Sequence, residues 1–297
     1  MSCDRTECPT REKSGRGARR TTWLVTLTAT VATSALTAVP QARANPRPLP
    51  FTYQTESLAK GTGEVEQFID FVPVRVLNGL GSPTWYNATE LQTEIEYGVT
   101  DKLELAIYFM FVPNVGADRN QALPTLPMGN GSSQRLRYRF ADPGAWPVDV
   151  AVYGEVTENE REIELEAKVI LQRRFGRLRL ITNLWAEHEF YFSGKNEWVL
   201  NPTLGATVEL SPRFHVGLES WMRAEIEDED DEGPSSSTTA EFNRGPHVFV
   251  GPAFMMNLGP VWWATGVYLR ATDWDRSVQV GDNFGRVWIR SVVGLGF

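Results

Sequence analysis

From residue 64 to the end of the chain, apolar and polar residues alternate with a period of two, punctuated by Gly, Pro, Asp and Asn. Alternation of this kind marks β-strands with one apolar and one polar face. It predicts twelve strands. The first spans residues 64–74, with Ile69 and Phe71 on one face and Glu66 and Asp70 on the other. The clearest hairpin follows, residues 89–98 and a strand from Leu103 to Phe111 joined by Gly98-Val99-Thr100-Asp101. There Leu91, Ile95, Leu103, Leu105 and Ile107 oppose Glu94, Glu96, Glu104 and Tyr108. The fourth strand, residues 134–140, sets Leu136 and Tyr138 against Arg135, Arg137 and Arg139. The fifth covers residues 148–156, with Asp149, Tyr153 and Glu155 on its polar face. The sixth and seventh meet at Arg174-Phe175-Gly176 and carry Glu164, Glu166, Lys168, Arg179, Trp185, Glu187 and Glu189 opposite Leu165, Val169, Leu180 and Leu184. The eighth spans residues 198–210, and the ninth, from Phe214, carries Glu219, Trp221 and Arg223. Residues 247–258 and 261–273 form the tenth and eleventh, the latter with Arg270. The twelfth, residues 286–297, has Arg286 and Arg290 opposite Val287, Ile289, Val293, Leu295 and Phe297. Pro202 and Pro252 each remove a ladder donor, so bulges are expected beside them.

An even number of strands suits a closed antiparallel barrel, and so do the connections. Short turns at residues 99–101, 141–147, 174–176, 211–213 and 259–260 alternate with longer links at residues 113–133, 228–246 and 274–284. Bacterial membrane barrels keep short turns on the periplasmic side and long loops outside. Outward aromatics fall into two bands, Tyr97, Phe140, Phe214 and Phe297 at the turn side and Phe109, Phe111, Phe190 and Trp198 at the loop side. Interfacial girdles have this form. A water-soluble sandwich also alternates, but it would bury the apolar face and seldom sets such charged faces opposite it. The predicted fold is therefore an all-β, up-and-down, 12-stranded transmembrane β-barrel over residues 64–297.

The preceding residues behave differently. Arg16, Arg19 and Arg20 lead into an apolar run over residues 21–39, closed by Ala42-Arg43-Ala44, the pattern of a secretory signal cut before Asn45. Residues 1–44 are read as that signal and residues 45–63 as a periplasmic N-terminal leader. Asn45-Pro46-Arg47-Pro48-Leu49-Pro50 suggests an extended polyproline conformation, and residues 51–60 an extra strand or an inward-lying segment. The chain carries 29 basic and 37 acidic residues. Seven basic and three acidic residues fall in the signal, leaving a net charge of −12 that argues against nucleic acid as a partner. Both cysteines, Cys3 and Cys8, fall there too, which excludes disulfides and thiol chemistry from the remainder.

The hairpin from Glu94 through Gly98-Val99-Thr100-Asp101 to Ala106 resembles a motif of Gram-negative outer-membrane proteins of the transporter and phenol-degradation-pathway type. Tyr153-Gly154-Glu155, the strand over residues 163–171 and Gly251-Pro252 are similar as well. The terminal strand ending on Phe297 resembles the last strand of such barrels. The resemblance implies residence in the outer membrane of a Gram-negative bacterium, contact with lipid and lipopolysaccharide, and delivery through the barrel-assembly machinery by Phe297. It carries no catalytic residues and no cofactor.

Candidate chemistry lies on the inward faces. Glu66, Asp70, Glu94, Glu104, Glu164, Glu166, Glu187 and Glu219 stand against Arg135, Arg137, Arg139, Arg179, Arg223, Arg270, Arg286 and Arg290, with Trp185 among them. Acidic and basic ladders would set a transverse field for an unknown small solute. Equally, they would form a lattice of matched charges filling a narrow interior. Inward Phe68, Tyr108, Tyr153, Trp221, Trp262 and Trp288 suit an amphipathic slide or simple packing. The acidic run at residues 225–232 suggests divalent ions or a solvated loop. His188 and Ser193 are too close along the chain to form a base and nucleophile, and no metal-ligand spacing, nucleophile elbow or phosphate loop occurs. The expected function is passive solute passage, without enzymatic activity. The alternatives are a closed or plugged barrel with a structural or surface-binding role and, less favoured, a membrane-embedded hydrolase.

Overall fold

The computed structural model describes residues 44–77, 83–111, 131–194, 196–227, 246–272 and 285–297. The three long links and the signal fall almost wholly outside these residues, as does most of the acidic run at 225–232. Among the described residues every regular element is a strand. They are β1 Gly63–Leu77, β2 Pro83–Gly98, β3 Leu103–Phe111, β4 Ser132–Arg139, β5 Asp149–Glu158, β6 Glu162–Phe175, β7 Leu178–Tyr191, β8 Asn196–Leu200, β9 Thr203–Ser211, β10 Phe214–Glu227, β11 His247–Asn257, β12 Val261–Arg270 and β13 Val287–Gly296. β8 and β9 are halves of one strand, since both pair with β7 on one side and β10 on the other. Each strand meets its neighbours in the chain, and β13 pairs with β1. The result is a closed ring of twelve antiparallel strands, as the alternation predicts.

Neither proline makes a bulge. β7 pairs Ala186 with Leu200 and Asn183 with Thr203, so the register is unchanged across Asn201 and Pro202. Asn201 N still donates to Trp185 O at 3.0 Å, and Pro202 O accepts from Met222 N at 3.1 Å. β11 and β12 pair Val250 with Leu269 and Ala253 with Gly266, so Gly251 and Pro252 also leave the register intact. A proline deletes one donor without adding a residue, and a strand held on its other edge tolerates that loss. The register shift falls instead at Phe214 and His215, beside the β9–β10 turn.

The alternation sorts side chains as expected. Leu184, Leu204 and Leu218 on the outer face are 56%, 60% and 57% exposed, whereas Glu64, Glu94, Glu104 and Glu219 on the inner face are 0% exposed. A surface that leaves its leucines bare and hides its glutamates suits a lipid surround. Tyr97, Phe140, Phe214 and Phe297 are exposed at the end with short turns, and Phe109, Phe190 and Trp198 at the opposite end, where the long links attach.

The closing seam is fastened at both levels. Phe297 N donates to Gly63 O at 2.8 Å and Gly63 N to Phe297 O at 2.9 Å. Asp70 lies opposite Arg290. The guanidinium donates to both its oxygens, Nε to Oδ1 at 2.8 Å and Nη2 to Oδ2 at 2.5 Å, with Trp288 Nε1 adding a third bond at 2.9 Å. The same register sets Glu66 opposite Gly294, so Arg286 is not its neighbour. Glu66 takes its cation from elsewhere.

Placing arginine at the lipid-facing Leu218 should destabilise the barrel by about 2–4 kcal/mol if this site lies near the bilayer midplane. Denaturant titration of protein folded into lipid vesicles would measure it, and a Leu218→Arg barrel of unchanged stability would contradict the assignment of this face to lipid.

Candidate functional site

The interior of the ring is occupied by the protein's own chain. Residues 44–62 form no strand; they enter at the turn end, rise to Phe51 and return to the same end before β1 begins. The ascending limb carries Pro46, Pro48 and Pro50, which have no N–H to satisfy and prefer an extended path. Ala44 lies beside Gly296, and Asn45 beside Glu64. Leu49 packs so closely on Gly205 and Gly217 that a Cβ at Gly217 would come within 2.9 Å of it. The two limbs are clasped together: Asn45 Nδ2 donates to Glu56 O at 3.1 Å, and Gln54 Nε2 donates to Asn45 Oδ1 at 2.9 Å and to Pro46 O at 3.2 Å.

A buried N–H without an acceptor is costly. Wall side chains from several strands supply acceptors for seven main-chain donors of this segment. Asn45 N donates to Glu64 at 2.7 Å, Phe51 N and Thr52 N both to Glu219 Oε1 at 3.1 and 2.5 Å, and Tyr53 N to Asn183 Oδ1 at 2.7 Å. Thr55 N donates to Gln172 at 3.4 Å and Leu58 N to Glu104 at 2.8 Å, and at the exposed turn end Lys60 N donates to Asp101 at 3.0 Å. Asn183 returns a bond from Nδ2 to Tyr53 O at 2.9 Å, so it reads both edges of that peptide. The other Glu219 oxygen accepts from the Tyr268 hydroxyl. Glu219 is thus a latch at the apex.

Aromatic contacts complete the apex. Phe51 stacks on Trp221 at 4.7 Å between centroids, with Tyr268 and Trp288 edge-on at 5.1 and 6.0 Å. Trp221 stacks in turn on Phe249 at 4.3 Å. The Arg290 guanidinium, already paired with Asp70, lies 3.8 Å from the centre of the Phe51 ring. Tyr53 receives Arg47 at 4.2 Å and Lys168 at 4.5 Å over its ring, and its hydroxyl meets that of Tyr108 at 3.1 Å. Cation–π contacts in a desolvated site contribute about 2 kcal/mol or more each. The inward aromatics therefore act as packing around the segment.

The predicted site residues fall into separate groups. Towards the turn end, Arg135 pairs with Glu94, Glu96 and Glu104 at 2.9, 2.6 and 2.5 Å, and Arg137 with Glu104 at 2.7 Å. Arg47 of the lumen segment pairs with Glu66 and approaches Glu94 at 3.7 Å. Burial opposes the charge on Arg47, but Tyr53, Glu94 and Glu96 outweigh it and hold its pKa above the ordinary arginine value. Towards the loop end, Lys168 pairs with Glu166 at 2.5 Å and covers Trp185 at 3.7 Å, while Arg223 reaches Glu187, Glu189 and Glu225 at 3.3, 3.0 and 3.0 Å. Glu164 stands beside Glu166 and Glu187.

The remaining cations lie apart. Arg179 binds Gln54 at 2.7 Å and Glu56 at 3.4 Å. Arg139 sits at the turn-end mouth against Asp142 at 3.3 Å and the Asp101 carbonyl at 2.7 Å. Arg270 meets His247 at 2.7 Å, and its main-chain N donates to Arg286 O at 2.9 Å. These residues do not converge on one centre.

Two carboxylate triads, Glu66 with Glu94 and Glu96 and Glu164 with Glu166 and Glu187, bring their oxygens within 4.8 Å of one another. The first is met by Arg47 and Arg135 and the second by Lys168 and Arg223, so fixed cations already stand where an ion would go. His188 packs between Phe190 at 4.2 Å and Trp198 at 4.3 Å, an aromatic setting.

The pattern of strands does not reveal Arg47, Phe51, Tyr53, Gln172 or Asn183 as site residues. One signal was present: Gly205, Gly217 and Gly296 stand at inward positions, and an inward glycine leaves room for another backbone to approach.

Comparison with known proteins agrees with this architecture. The COG4313 outer membrane channel from Pseudomonas putida F1 superimposes with a TM-score of 0.54 at 11% identity, covering 82% of this chain and 98% of that one. The NanC porin gives 0.49 at 10% identity over 77% and 98%, and the anion-selective porin from Comamonas acidovorans 0.36 at 9% identity over 80% and 98%. At such identities the likeness to the first is one of fold. No curated protein sequence matches the chain. Residues 41–276 match the model of a family described as of unknown function, DUF6662.

Replacing Glu219 with alanine removes the acceptor of two buried amides and a hydroxyl. The barrel should lose at least about 2 kcal/mol of stability, since hydrogen bonds to charged groups contribute about 1.5–3 kcal/mol. Glu219→Gln, which keeps an acceptor, should lose less. Equal denaturation midpoints for wild type and Glu219→Ala would contradict the latch.

Proposed function

The chain belongs to the DUF6662 family of unknown function, and on that premise we propose that it is an outer-membrane channel for small solutes, closed at rest by its own N-terminal segment. The observation that carries this reading is how the segment is held. Its main chain is bound by side chains of the wall and, among the described residues, joins the sheet only at Gly61 and Thr62, which exchange bonds with Gly98. A strand cannot leave a barrel without opening two ladders, whereas a segment held by side chains can shift while the ring stays intact. Passage would then be passive, along a wall lined by alternating carboxylates and guanidiniums that replace part of a solute's hydration.

In this reading the turn end faces the periplasm and the long links face the outside, with lipopolysaccharide around the loop-end aromatics. The exposure of Phe297 at the turn end supports, within this reading, its role as a signal to the barrel-assembly machinery. No step of covalent chemistry belongs to it. A second reading, a permanently closed barrel with a structural or surface-binding role, draws support from the paired state of Arg135, Arg137 and Arg290. Paired, hydrogen-bonded buried charges resist rearrangement because breaking one pair exposes the other.

Planar-bilayer recordings separate the two. Wild type should show small or rare conductance steps, and a variant lacking residues 46–57 should conduct severalfold more. Equal conductance of the two would sink the gated channel, and an absence of current from both would leave the closed barrel.

A further inference from the structure

The turn-end charge cluster contains five carboxylates, Glu64, Glu66, Glu94, Glu96 and Glu104, and three guanidiniums, Arg47, Arg135 and Arg137. Glu64 is the member left over. It is 0% exposed and lies directly opposite Glu96 in the β1–β2 register, an arrangement of like charges that destabilises a sheet unless a cation intervenes. Arg135 serves Glu96, Glu94 and Glu104, and Arg47 serves Glu66 and Glu94. Among the described residues no guanidinium or ammonium comes within ion-pair distance of Glu64. Its two oxygens accept from the Trp262 indole N–H and from the main-chain nitrogen of Asn45, the latter at 2.7 Å. A buried carboxylate met by neutral donors alone is an expensive arrangement.

Asn45 is the residue that follows Ala42-Arg43-Ala44. Its side chain is tied at both ends, Nδ2 to Glu56 O and Oδ1 to Gln54, so its main-chain nitrogen is held in place against Glu64. We propose that this is a binding site for the protein's own new N-terminus. Hydrolysis of the Ala44–Asn45 peptide bond by a signal-type peptidase adds one water, leaving a carboxylate on Ala44 and an ammonium on Asn45. That ammonium is the missing counter-ion of Glu64. Capture of a terminal amine by a prepared acceptor is a known mode of recognition, and here it anchors the entry of the lumen segment. Ala44 lies against Gly296 at the barrel mouth, and processing there supplies the charge that completes the turn-end cluster. The inference rests on export of the barrel and is independent of whether the lumen conducts.

The test uses protein encoded by the full chain and purified from outer membranes. N-terminal sequencing should return Asn45 as the first residue. An amine-acylating reagent, which attacks only the neutral amine, should modify the Asn45 α-amine at least about tenfold more slowly in folded wild type than in unfolded protein near neutral pH. Each pKa unit changes the neutral fraction about tenfold. The near-isosteric Glu64→Gln should restore most of the rate without changing the processing site. Should that variant fail to assemble, wild type alone decides through the pH dependence of labelling. Pairing places the midpoint above the ordinary α-amino range of about 7.7–8.0, whereas burial without pairing places it below. A first residue other than Asn45, a midpoint within or below that range, or equal labelling of folded and unfolded wild type would overturn the proposal.

Discussion

Every main-chain N–H in this molecule that is withdrawn from water has to find an acceptor, and the structure follows from how that requirement is met twice. In the wall it is met by ring closure, because strands facing lipid have no other partner for their edges. Inside the ring it is met differently. The lumen segment meets a strand only at its base, where Gly61 and Thr62 bond to Gly98, and among the described residues its other bound amides are served by Glu64, Glu219, Asn183, Gln172, Glu104 and Asp101, contributed by β1, β10, β7, β6, β3 and the β2–β3 turn. The proline spacing at 46, 48 and 50 reduces how many amides have to be served.

This second solution changes the meaning of the inward charges. Acids that look like a solute-guiding field are in part acceptors for the protein's own backbone, and the guanidiniums between them compensate for the burial of the rest. Glu104 does both, binding Leu58 N as well as Arg135 and Arg137. The seam uses the same economy, with Asp70 taking Arg290 and Trp288 while Arg290 covers the Phe51 ring. Wall and lumen segment therefore share side chains, and Arg290 of the closing strand touches both Asp70 and the Phe51 ring.

The strands were legible in the sequence because a period of two is dictated by the pleat, and one face in contact with lipid keeps that face apolar for its whole length. Leu184, Leu204 and Leu218 could be placed outside from their spacing alone. The lumen segment was harder to read, because an extended, proline-spaced run has no periodicity, and its partners are scattered over six places in the chain. The alternation marks Glu219 as inward, but its role depends on Phe51 and Thr52, 168 and 167 residues away. By the same spacing Arg286 and Glu66 both lie on the inward faces of the two seam strands, yet the register of a single ladder separates them. No bulge forms at Pro202 or Pro252, because a proline removes a donor without lengthening its strand.

The arrangement of the lumen depends on Phe51 and Thr52 being held by Glu219 within the barrel. Hydrogen exchange of these two amides in the bilayer-embedded protein tests it most directly. Bound to a buried carboxylate, both should exchange at least about a hundredfold more slowly than in an unstructured peptide of the same sequence, since protection reports the free energy of opening. Exchange at the rate of the free peptide would contradict the account, because it would place the segment outside the lumen or leave it unheld within it.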